Sequence, residues 1–110
     1  MNYFFSPDID EILSVGILLE HLGINNWALS RNDALEVLSK FELSGIAVLG
    51  GDVFVFSDGV IDQNYDNWYC EHSPEQPNSD FITSSIKKTR HYIENYTDEN
   101  ALFSLVPQRN

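Results

Sequence analysis

The chain has 110 residues, 43% of them hydrophobic, and carries a formal charge of −11 from 17 acidic side chains against 6 Lys and Arg. That length suits one domain spanning residues 1–110 with a core of its own, and the apolar content separates it from disordered acidic chains. The shortage of bases disfavours bare nucleic acid and anionic membrane as partners, because both are held by neutralising phosphates.

From the amino terminus, Ser6-Pro7-Asp8 reads as a helix start: a hydroxyl cap, proline at the first helical position, and Asp8, Asp10 and Glu11 near the positive end of the dipole. Ile9, Ile12 and Leu13 would form its core face. Residues 16–24 stay open between a further turn of helix and a short strand. Ser30 with Asp33 opens a second helix, in which Leu35, Leu38 and Phe41 recur at helical spacing with Ala34 and Val37, and Ser44-Gly45 ends it.

A short strand follows at Ile46-Ala47-Val48-Leu49, then Gly50-Gly51, read as a bend or bulge, then a strand from Asp52. Asp58-Gly59 between β-rich runs predicts a hairpin that folds residues 53–57 onto residues 60–65, with Phe56 opposite Ile61 and Val55 opposite Asp62. Pro74 and Pro77 mark a loop. Ser79 or Asp80 would cap a third helix with an apolar stripe of Ile82, Ile86, Ile93 and Tyr96, and residues 101–106 would close as a strand before Pro107. The expected fold is α+β: about three helices on a small, mostly antiparallel sheet of about four short strands.

Between Lys40 and Lys87 there is no lysine or arginine, yet Glu42, Asp52, Asp58, Asp62, Asp66, Glu71, Glu75 and Asp80 are interleaved with Phe54, Phe56, Tyr65, Trp68 and Tyr69. A one-signed, aromatic-rich stretch suits a surface that holds a basic protein, since carboxylate pairing and cation-π attraction reinforce each other. The plainer alternative is an acidic solvated face. Trp27 reads as a core anchor; Trp68 is evenly balanced between core and interface.

No arrangement here assembles a catalytic or metal site. Cys70 and His72 lie two apart, but a structural zinc needs four ligands, and nothing in the sequence brings His21 and His91 to them. Asp58, Asp62 and Asp66 would share a face of a strand, with about 13 Å between successive acids, too far apart to close on one ion. Gly50-Gly51 lacks the Gly-Lys-Ser/Thr of a phosphate loop, and no nucleophile elbow links the serines to a histidine. A protein without catalytic residues, cofactor or metal is expected. The lone cysteine, Cys70, excludes an internal disulfide and fits a reducing compartment. With no membrane-length apolar run and no signal-peptide pattern at Met1-Asn2-Tyr3-Phe4-Phe5, a cytoplasmic location is expected.

Three blocks taken together, Asn25-Asn26-Trp27-Ala28-Leu29, Val48-Leu49-Gly50-Gly51-Asp52-Val53 and Tyr65-Asp66-Asn67-Trp68-Tyr69, resemble the immunity protein 40 family of bacterial polymorphic-toxin systems, over residues 12–106. The resemblance implies a protein that binds and neutralises a cognate toxin domain made by the same cell. It assigns no contact residues, so the candidate partner-binding set rests on charge and aromatic content: Asp52, Asp58, Asp62, Tyr65, Asp66, Trp68, Tyr69 and Glu71. The partner would be a basic toxin. An acidic mimic of nucleic acid that inhibits a basic host or phage protein, or a small hydrolase, remains as an alternative.

Overall fold

Side-chain caps start the first two helices where their chemistry requires. In the computed structural model, which describes residues 2–109, Ser6 Oγ accepts the Ile9 amide at 3.1 Å and opens helix α1 (Pro7–Leu13). Asp10, in the first turn, reaches back to accept the Phe4 and Phe5 amides at 2.7 and 3.0 Å, which ties down the preceding segment. The open stretch after α1 resolves into strand β1 (Ile17–Leu18) and a 3₁₀ turn (Glu20–Leu22) that ends at Gly23 with φ 72°. Strand β1 pairs antiparallel with β2 (Trp27–Ala28). Ser30 Oγ then accepts the Asp33 amide at 3.2 Å to open helix α2 (Arg31–Leu43), and the chain leaves that helix through Gly45 at φ 70°.

Strands β3 (Val48–Ser57) and β4 (Val60–Tyr69) form the expected hairpin. Asp58 at φ 53° and Gly59 at φ 78° supply the two positive φ values that a type I′ turn needs, and the register pairs Phe56 with Ile61 and Val55 with Asp62. Two features depart from the sequence reading. Strand β3 runs through Gly50-Gly51 without a break, and the irregularity expected there is a shift in its pairing with β5 (Leu102–Pro107) between Val48 and Gly50. Strand β4 continues to Tyr69 instead of stopping at Tyr65, because a bulge absorbs the turn-forming residues. Asp52 and Phe54 pair with Asn67 and Gln63, so residues 64–66 of β4 stand against the single Val53.

Helix α3 (Asn78–Glu94) starts directly after Pro77 with no side-chain cap, correcting the expected start at Ser79 or Asp80. Its buried residues are Phe81, Ser85, Ile86, Thr89 and Ile93, so Phe81 leads the stripe and Ile82 is only partly covered.

The main sheet has the order β4-β3-β5, all antiparallel, and a bridge between Leu29 and Phe103 attaches the β1–β2 ribbon to its β5 side. The class is α+β as expected, with five strands in two sheets among the described residues. Helices α2 and α3 cover one face of the main sheet, enclosing Leu38, Phe41, Val53, Phe81, Ile93 and Phe103. On the other face a smaller core of Leu19, Ala28, Phe54, Ile61 and Leu102 lies under the ribbon and the 3₁₀ turn. Arg31 closes the helical side: its guanidinium donates to the carbonyls of Ile93, Glu94, Tyr96 and Asp98 at 2.9 to 3.1 Å, tying the start of α2 to the end of α3 and the turn after it. No helix among the described residues is long and apolar enough to cross a membrane.

Candidate functional site

Alternation along β3 and β4 decides where each candidate side chain goes. Paired residues share a face, so Gly51, Trp68 and Leu105 lie on the helix-covered side, while Asp52, Asn67 and Ser104 lie on the other. Trp68 is therefore a core residue, 7% exposed, and leaves the candidate contact set. Its ring stacks on Tyr92 with centroids 4.6 Å apart, and its Nε1 donates to Thr89 Oγ1 at 3.0 Å, so its one polar atom is satisfied inside the protein. Gly51 makes this possible. A Cβ there would collide with the Trp68 ring and with the Ser104 carbonyl.

The other seven candidates, Asp52, Asp58, Asp62, Tyr65, Asp66, Tyr69 and Glu71, are exposed, Tyr65 at 80% and Tyr69 at 65%. They do not lie in one plane. Asp52 and Tyr69 belong to the open face, Asp62 pairs with Val55 on the opposite face, and Asp58 is at the tip of the turn. The acids wrap the β3–β4 hairpin instead of tiling one side of it.

The bulge in β4 gives this surface a fixed point. Tyr65 has φ 69°, a left-handed conformation that a bulky residue adopts only when its surroundings impose it. On either side of it, Asn64 Nδ2 donates to the Tyr96 hydroxyl at 2.7 Å, and that hydroxyl donates to Asp66 Oδ2 at 2.5 Å. Asn64 Oδ1 also accepts the Asp66 amide at 2.9 Å. Two neighbours of Tyr65 are thus clamped to the residue just beyond α3, and Tyr65 is held out to solvent. Burial, and then the hydrogen bond to Asp66, push the Tyr96 phenol pKa upward; burial and the Asp66 charge do the same to Tyr92.

Asp52 sits in a shallow concavity of about 300 Å³, floored by Gly50 and Gly51 and walled by Leu49, Asn67, Tyr69 and Val106. The residue is exposed, yet its carboxyl is close enough to these walls for burial to raise its pKa above the ordinary 3.8. A carboxylate partly stripped of water beside an exposed tyrosine is suited to receive a lysine or arginine side chain.

Cys70 and His72 diverge. The thiol is buried, with Sγ 3.8 Å from the Ser85 carbonyl and 3.7 Å from Thr89 Oγ1, whereas the His72 ring stacks on Phe81 at 4.3 Å and its Nε2 meets the Gln76 carbonyl at 2.9 Å. Among the described residues no group of three or more His, Cys, Asp or Glu could hold a metal ion. The sequence reading did not connect Tyr96 with Asn64 of the hairpin, nor the exposed apolar residues Ile17, Leu18, Phe56 and Val60 with one another. The first pair meets across 32 residues of chain, and only the apolar pairing of Phe56 with Ile61 hinted at the second group.

The model of the family described as Immunity protein 40 matches residues 18–107, most of the chain and all of its elements from β2 to β5. Comparison with curated proteins and with solved structures finds no match.

Proposed function

Because the chain belongs to the immunity protein 40 family, we propose that it neutralises a cognate basic toxin domain in the cytoplasm by binding it with the β3–β4 hairpin. The contacts would come from Asp52, Asp58, Asp62, Tyr65, Asp66, Tyr69 and Glu71. The observation that carries this reading is the exposure of Tyr65 and Tyr69, at 80% and 65%, on a hairpin whose strands contain no lysine or arginine. Large aromatic side chains held in water on a rigid strand contribute contact area at low entropic cost, and the surrounding carboxylates raise the association rate toward a basic partner. Binding, not turnover, is the mode of action. No catalytic residue, cofactor or metal takes part.

Co-expression tests the reading. The toxin domain encoded beside this chain should be tolerated by a host cell that makes the wild-type chain and should kill one that makes the Tyr65→Gly, Tyr69→Ala variant at equal abundance. Full protection by that variant would remove the hairpin from the mechanism.

A further inference from the structure

Four of the exposed apolar side chains gather in one place. Ile17 (48%) and Leu18 (44%) on β1, and Phe56 (56%) and Val60 (54%) beside the hairpin turn, line one concavity of about 310 Å³ with His21, Gly59 and Ile61. The two halves of this patch are about 40 residues apart in sequence and are held together from beneath. Leu19, Phe54 and Ile61 share the smaller core, and His21 Nε2 lies 2.9 Å from the Ile61 carbonyl. A rigid apolar hollow of this kind in water marks an interaction site.

Charge limits what can cover it. Residues 1–30 contain no lysine or arginine, and neither do residues 41–86, so both segments that build the patch bring only acids: Glu20 beside Leu18, and Asp58 and Asp62 flanking Val60. A second copy would set these acids against the same acids, on a chain of net charge −11. An anionic lipid surface is repelled for the same reason.

We infer that the hollow formed by Ile17, Leu18, Phe56 and Val60 is the apolar anchor site for the toxin, taking a hydrophobic side chain that protrudes from the toxin surface within a ring of lysines or arginines. The inference rests on the immunity reading above and adds to it the place where water is expelled. The carboxylates of the hairpin steer the encounter, and the hollow slows dissociation. The β1 segment and the β3–β4 hairpin each contribute both to the apolar centre and to its acidic rim.

The experiment measures the affinity of the full chain for a purified, catalytically inactivated toxin domain encoded beside it, with association and dissociation rates at low and high salt. Phe56→Ser and Leu18→Ser are compared with Leu43→Ser, whose leucine is 90% exposed on α2 and does not line the hollow. Both patch variants should melt as the wild type does and bind about 30-fold or more weakly, the loss that marks an interface hot spot, mainly through faster dissociation and equally at both salt concentrations. Leu43→Ser should change nothing. Wild-type affinity in both patch variants would overturn the anchor site and leave the immunity reading standing. No binding by the wild type would overturn that reading and the anchor with it. Concentration-dependent dimerisation of the wild type in sedimentation, abolished by Phe56→Ser, would assign the hollow to a second copy and overturn the proposal.

Discussion

Trp68 and Tyr69 are neighbours in the chain, both aromatic, both on β4, and they end in opposite environments. Trp68 is 7% exposed and Tyr69 is 65% exposed. Neither local sequence nor residue chemistry accounts for the difference; the two-residue period of the strand and the coverings of its two faces do. On the helix side, Gly51 leaves room for the indole to lie against the backbone, and Thr89 and Tyr92 of α3 complete its pocket. On the other side, the same stretch of β3 presents Asp52 in a shallow hollow next to Tyr69. An aromatic-acidic run in sequence is therefore two things in space: a core seam and an exposed acidic surface, the one proposed above to meet the toxin.

The largest expected effect breaks the core seam. Trp68→Ala should cost about 3–5 kcal/mol of folding stability, read from denaturant unfolding, by leaving a cavity under Tyr92 and a Thr89 hydroxyl whose remaining partner is the weakly bonding Cys70 thiol. Toxin binding should fall only in proportion to the folded fraction. A stable Trp68→Ala protein with weakened binding would place the indole at the interface and undo the contrast. Gly51→Ala probes the same seam from the opposite strand. With its new methyl inside the Trp68 ring and against the Ser104 carbonyl, it should cost roughly 3 kcal/mol, the upper end for overpacking.

The next effect belongs to the proposed contact surface. Tyr65→Gly relieves the positive φ and removes the aromatic ring, so stability should stay within about 1 kcal/mol of wild type or rise. Binding should weaken by about 2 kcal/mol in calorimetry with the toxin domain. A large loss of stability instead would make Tyr65 a structural residue.

The smallest effect concerns Asp52. Burial raises its pKa in the folded protein above the unfolded value near 3.8, so the native state holds the proton more tightly than the unfolded chain. Ionised Asp52 therefore opposes folding, and this cost enters as pH rises from the unfolded pKa through the folded one. Asp52→Asn should be slightly more stable than wild type at neutral pH, by a margin that solvent screening keeps small, and the two should converge below that window in thermal melts taken across pH. Equal stability at every pH would mean that the hollow does not desolvate the carboxyl.

What was legible in the sequence follows from how local each signal is. Ser6 with Pro7, Ser30 with Asp33, and Asp58-Gly59 act through their own backbone, and each sits where the sequence reading put it. Trp68 was not legible because its face depends on the register beyond the bulge at residues 64–66, and that bulge is fixed by Tyr96, on the far side of α3. Asp66-Asn67, turn formers by composition, disguised the continuation of β4. The start of α3 was misplaced because Ser79 and Asp80 are good caps that the helix does not use once Pro77 has set its entry. The apolar hollow was invisible for a different reason: Ile17 and Leu18 join Phe56 and Val60 only through the folding of one hairpin onto another.

The association rate with the toxin domain, measured against ionic strength, tests the central claim most directly, because it reads the hairpin acids without disturbing the core. The account predicts a fall of about tenfold or more between low and physiological salt, and a shallower dependence in Asp58→Asn, Asp62→Asn at unchanged stability. A rate indifferent to salt, with the double variant superimposing on wild type, would contradict it.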